Sequence, residues 1–308
     1  MTAMFTADDI LEVTSGKLVQ GNKGSQPGRL VWNIEDITQG DWFVAMANGK
    51  EDSHDYLSNA FERGAQGSIV NKKCRYSFAP KEGSLIAVAD TELALLDLAN
   101  FWCRKKAKKV VTVSGTTGRK DTINLMEFLL RRDNRIHTAF EEPDLRCIPD
   151  VLAMPEDTDI LIVEISGIGR GDIAGIASSI APDLAVITST HHPIPSKVNS
   201  LRAIAVNLEI LESVVESDGI MAVVYDKNPE VKERAELILQ DLKAIYYSTD
   251  TRSFSETSLN RLVSKSGITQ TETRVDVSAW CALTAAICCG FSPEENPHIV
   301  SELIVSAG

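Results

Sequence analysis

Residues 113–130 read VSGTTGRKDTINLMEFLL, an apolar run that breaks at Gly115, Thr116, Thr117 and Gly118 and resumes with helical spacing. Glycines at a strand-to-helix turn let backbone amides curl around an anion, and the helix N-terminus adds the positive end of its dipole. Arg119 and Lys120 place positive charge at that mouth, while Asp121 opposes a phosphate there. The same residues also suit a plain strand-to-helix turn that binds nothing. Two further groups are candidates for chemistry. His191 and His192 are metal-capable, but adjacent residues on an extended turn point apart, which disfavours a shared ion. Glu141, Glu142 and Asp144 form either a solvated acidic loop or a surface for a cation or amine.

The elements that must position these residues fall into two stretches. Residues 1–100 begin with an amphipathic helix, ADDILEVTSG, acidic at its start and closed by Gly16. Strand-like DWFVAMA (41–47) and GSIVN (67–71) flank a helical stretch, HDYLSNAFERGA, which predicts a small mixed α/β domain. ELALLDLANFWCRKK, from Glu92, reads as a helix leading into the next unit. In residues 101–308 the apolar runs VVTVSG, DILIVEIS, LAVITST and MAVVYD end at polar or Gly-rich turns and alternate with helical segments. That pattern predicts a mostly parallel sheet whose strand ends form a crevice. VSAWCALTAAICCG is a nearly all-apolar helix and therefore a buried one.

Bulk properties narrow the function class. With 308 residues, 44% of them hydrophobic, the chain can bury two cores. A net charge of −12 argues against nucleic acid or an anionic membrane as partner. The basic run from Arg104 to Lys109 ends a helix, where it complements the dipole. Cys74, Cys103, Cys147, Cys281, Cys288 and Cys289 have neither zinc-ligand nor disulfide-framework spacing. The acidic N-terminal segment and the lack of an 18-residue apolar stretch give the expectation of a cytoplasmic protein.

Beyond the loop, DITQGDWFVAMANGKEDSHDYLSNAFERGAQGSIV, DILIVEISGIGRGDIAGIASSIAPDLAVITST, IAVNLEIL and MAVVYDKNPEV occur in that order. Together these segments resemble the Mur ligase family, and in particular its D-alanyl-D-alanine-adding members. The resemblance implies a uridine-nucleotide-type N-terminal domain (1–100) and a central, P-loop-type ATPase domain (101–308). The family's C-terminal ligase domain has no counterpart among these residues.

The resemblance also implies roles, position by position. The family loop GxxGKTT uses its Lys on phosphate and its Thr on Mg²⁺. Here Arg119, Lys120 and Asp121 follow Gly118; a one-residue bulge would instead make Lys120 the loop lysine, with Thr122 behind it. Glu164 matches a family metal ligand. Ile194 and Asn207 stand where a ligand His and a carbamylated Lys belong, which leaves His192 as a possible replacement. Asp226 and Asn228 fall where the family contacts adenosine. Asn33, Ile34 and Glu35 stand in place of a uridine-contacting Asp-Ser-Arg or Asp-Thr-Arg. Thr138 and Pro149 persist from a substrate loop in which Glu141 and Asp144 replace Gly and Asn residues.

Two functions follow as expectations. One is a degenerate homologue, a pseudoenzyme acting as a binding, scaffold or regulatory protein with a protein partner or in a homo-oligomer, with ATP and Mg²⁺ doubtful. The other is a repurposed ATP-dependent amide ligase whose partner supplies the acceptor domain. The small-molecule substrate is unspecified in both.

Overall fold

The protein is described here from a computed structural model, covering residues 2–47, 52–74, 83–140, 147–165, 180–188, 221–225, 229–239, 243–247 and 277–299. Two compact units emerge: residues 1–105 with 148–156, and residues 106–147 with 157–308.

In the first unit, helix α1 (Ala7–Thr14) is nucleated by a reciprocal capping box. The Thr6 hydroxyl accepts from the Asp9 amide, and the Asp9 carboxylate accepts from the Thr6 amide. The helix is closed one residue earlier than the sequence predicts. Ser15, at φ 50°, takes the left-handed cap that had been expected of Gly16. Gly16 is instead constrained by space, since a Cβ there would lie 2.8 Å from Ile86 Cγ2. Strands β1 (Lys17–Gln20), β2 (Leu30–Val31), β3 (Trp42–Val44), β4 (Gly67–Asn71) and β5 (Ser84–Val88) form a sheet in the order β1-β5-β4-β3-β2. Only β1 runs antiparallel to its neighbour. Helices α2 (Leu57–Glu62) and α3 (Thr91–Lys106) complete the layer structure. Phe43, Ala45, Leu57, Ala60, Val70 and Leu85 make one buried cluster.

Helix α4 (Arg119–Leu130) belongs to the second unit, whereas α5 (Ile148–Ala153) joins the first. The Ala3 amide donates to Leu152 O at 2.8 Å, and the Trp102 indole donates to Met154 O at 3.0 Å. Ile148, Val151 and Leu152 are buried, so this excursion satisfies both polar and apolar needs. No local sequence pattern announces it.

The second unit is built on a parallel sheet of β6 (Lys109–Ser114), β7 (Ile136–Ala139), β8 (Ile160–Glu164), β9 (Leu184–Ile187), β10 (Met221–Tyr225) and β11 (Lys243–Tyr247). Its order is β11-β10-β9-β6-β8-β7, and every pairing is parallel. Buried on both faces, such strands read as continuous apolar runs, and Ile160 to Val163 are all buried. Helices α6 (Pro229–Leu239) and α7 (Val277–Cys288) follow. Val111, Val113, Ile162 and Val186 of the sheet pack with Ile123, Met126 and Leu129 of α4 and with Ala282, Leu283 and Ala286 of α7. Burying each such large aliphatic chain contributes about 1.5–3 kcal/mol before entropy is counted. Among the described residues no helix is long and apolar enough to cross a membrane.

Candidate functional site

Strand order in the second unit reverses at β6: β7 and β8 lie on one side of it and β9 on the other. In open α/β sheets the carboxyl ends of the strands flanking such a reversal form the ligand crevice. Three chain segments meet there. Val113 of β6 is paired with Glu164, the last residue of β8, and Ser114 with Ile187, the last of β9.

The turn leaving β6 has the expected form. Gly115 sits at φ 141° and Gly118 at φ 79°, and Gly118 is the N-cap of α4. At Gly118 a side chain is opposed twice, by the left-handed backbone and by Ser278 Oγ, 2.8 Å from where a Cβ would lie. Thr188, just past β9, holds the turn from the other side. Its amide donates to Ser114 O at 2.8 Å, and its hydroxyl donates to Thr117 O at 2.6 Å. Neither Ser278 nor Thr188 stood out in the sequence. A hydroxyl one residue beyond a neighbouring strand was the only available signal for Thr188.

Arg119 opens α4 and turns inward. Its Nε donates to Glu164 Oε1 at 2.9 Å, and its Nη1 donates to the carbonyl of Gly115. The Glu164 side chain is only 4% exposed and that of Arg119 17% exposed. The positive charge that follows the loop is therefore paired with the carboxylate beneath it. Lys120 is exposed, with Nζ 5.7 Å from the centre of the Phe140 ring, a cation–π contact. Asp121 is exposed in the first helical turn, where it favours the dipole. Thr122 is buried and its hydroxyl has no hydrogen-bond partner, and α4 begins at Arg119 without a bulge.

Gly115, Thr116, Thr117, Gly118, Arg119 and Glu164 thus converge on one strand-end site. Thr138 is half-buried in β7, at the sheet edge and separated from β6 by β8. Glu141, Asp144, His192, Asp226 and Asn228 lie outside the described residues, as do Glu142, His191, Ile194 and Asn207.

In the first unit Asn33 is occupied locally. Its side chain caps a short 3-10 turn, accepting from the Glu35 amide at 3.2 Å and donating to Asp36 at 3.1 Å. A second cluster, unanticipated from the sequence, brings Asp52, His54 and Cys74 together with ligand-capable atoms within 4.8 Å of one another. His54 Nε2 accepts from the Asn71 amide at 2.9 Å, so the ring proton resides on Nδ1, where it is donated to Asp52 at 2.5 Å. Neither nitrogen keeps a lone pair for a metal. Burial and the nearby Asp52 and Asp55 charges push the Cys74 thiol up, away from the nucleophilic thiolate. The cluster is a structural latch between the 3-10 turn at Ser53–Tyr56 and β4. All six cysteines are free, and burial pushes Cys288 up to about 11 and Cys289 up to about 12.

No protein-family model matches the chain. It is 28% identical over 194 residues to the UDP-N-acetylmuramoyl-tripeptide–D-alanyl-D-alanine ligase of Bacillus subtilis, a match that covers 62% of this chain and 42% of that enzyme. The chain thus spans less than half of that relative's length. Among solved structures, MurF from Acinetobacter baumannii superposes with a TM-score of 0.68 at 18% identity, over 80% of this chain and 53% of that one. The MurF ligase of Thermotoga maritima, solved in complex with ADP, gives 0.62 at 21% identity, over 72% and 51%. At those identities the structural likeness speaks for the fold, and the curated sequence match speaks for descent. In sequence and in fold the chain resembles the Mur ligase family.

Proposed function

We propose that this chain is a divergent Mur ligase homologue that serves as a non-catalytic binding, scaffold or regulatory protein. The observation that supports this reading is the ion pair of Arg119 with Glu164. A nucleotide loop of this family would set the first against phosphate and the second against a metal; here each neutralises the other. Separating them would leave a nearly buried carboxylate uncompensated, at a cost of about 3–5 kcal/mol, or roughly two to three and a half powers of ten in ligand affinity.

The remaining donor set does not fit ATP with Mg²⁺ either. Lys120 offers an ammonium in place of a metal-binding hydroxyl and rests on Phe140. Asp121 adds negative charge at the helix start. The role that remains is recognition, with another protein or a second copy as partner.

One observation favours a second reading, a repurposed ATP-dependent amide ligase with a partner supplying the acceptor domain. The Gly115–Gly118 turn keeps its form at the strand-order reversal, and a structural relative carries ADP. The test is phosphate release from ATP with Mg²⁺ across a panel of carboxylates and amines. The non-catalytic reading expects none above background. Release that Arg119→Ala or Glu164→Ala abolishes would replace it with the ligase reading.

A further inference from the structure

Two carboxylates are buried among the described residues, Asp41 and Glu164. A buried carboxylate requires a cation or a set of donors, because removing it from water uncompensated costs more than a domain can spare. Asp41 is met by Arg29 and by the amide and hydroxyl of Thr38. Glu164 is met by the Arg119 guanidinium, which bridges it to the carbonyl oxygen of Gly115. These two oxygens come from β8 and from the turn that leaves β6, and they face one positive group. A carboxylate and a carbonyl gathered around one cation are the donors a hard cation prefers.

We infer that Arg119 is a tethered cation, seated in a cation site made by Glu164 and the Gly115 carbonyl, and that removing its side chain opens this site to a free guanidinium or divalent metal ion. The chain carries the ligand of this site in its own sequence. The turn from β6 into α4 is thereby held closed without any diffusible ion. This goes beyond the non-catalytic reading and does not need it: a ligase would have to displace the guanidinium on loading, whereas a binding protein would keep it in place.

The test uses the full chain, free of nucleotide, so that its failure is separate from that of the functional reading. Melting midpoints are compared for wild type, Arg119→Ala and the double variant Arg119→Ala with Glu164→Gln, each with and without millimolar guanidinium or Mg²⁺. Arg119→Ala is expected to lose about 5–10 °C and to regain at least half of the loss with either cation. Wild type should not respond. The double variant should melt above the single one and also not respond. The inference is overturned if Arg119→Ala melts like wild type, if wild type gains as much from the cations, or if the double variant is rescued equally. Should Arg119→Ala fail to fold, the double variant decides. Its folding would show that the uncompensated Glu164 charge was the fault, and its failure would refute the inference.

Discussion

An arginine directly after the Gly-rich turn brings a planar fork of five donors where a lysine would bring a compact ammonium. That geometry lets Arg119 reach a carboxylate and a carbonyl together, and it does so with Glu164 and Gly115. Asp41 follows the same logic in the first unit. Burial alone would push its carboxyl up, but hydrogen bonds from Arg29 and Thr38 outweigh burial and hold it below its usual value of 3.8. A carboxyl held low in the folded state contributes stability above the unfolded pKa and loses it as pH falls through the folded one. Asp41→Asn is therefore expected to cost about 1–2 kcal/mol at neutral pH, with Arg29 discounted for its exposure. In urea melts the gap from wild type should narrow below pH 3.8; a gap that stays constant through that range would contradict the assignment. At this scale the sequence was only partly legible. Residue type showed that Arg119 and Glu164 could carry charge. That they would neutralise each other depends on β6 and β8 being neighbours, which spacing of 45 residues does not reveal.

Among elements, the turn from β6 into α4 holds because Gly118 can adopt φ 79° beside Ser278. Gly118→Ala places a Cβ in a left-handed conformation and 2.8 Å from Ser278 Oγ. The expected loss is about 1–2 kcal/mol, or roughly 2–6 °C in the melting midpoint. Adding Ser278→Ala should relieve the close contact but not the backbone strain. A Gly118→Ala protein that melts at or above wild type would show that the turn is not constrained as described. Long apolar runs were readable as elements: GSIVN is β4 to the residue, and the runs at β6, β8, β9 and β10 are strands. Less visible were β1, alternately half-buried and exposed, β2 with two residues, and β7, which carries His137 and Thr138 at a sheet edge. These form because neighbouring strands offer hydrogen bonds, not because their own residues demand it. The α5 excursion was hidden for a related reason: its anchors, Ala3 and Trp102, are remote in sequence.

At the scale of the molecule, the parallel six-stranded sheet and its strand-order reversal put the loop, Glu164 and Thr188 in one place. The order of apolar runs along the chain pointed to this architecture, because each run ends at a polar or Gly-rich turn. What could not be read was whether the strand-end site has room for a ligand. That depends on how the retained charges pair, and in this fold they pair with each other. The measurement that tests this most directly is calorimetric titration of the full chain with ATP, with and without Mg²⁺. A self-neutralised loop predicts no detectable heat of binding up to millimolar nucleotide in either condition. Micromolar, magnesium-dependent binding would contradict it and show that the Arg119–Glu164 pair opens to admit a nucleotide.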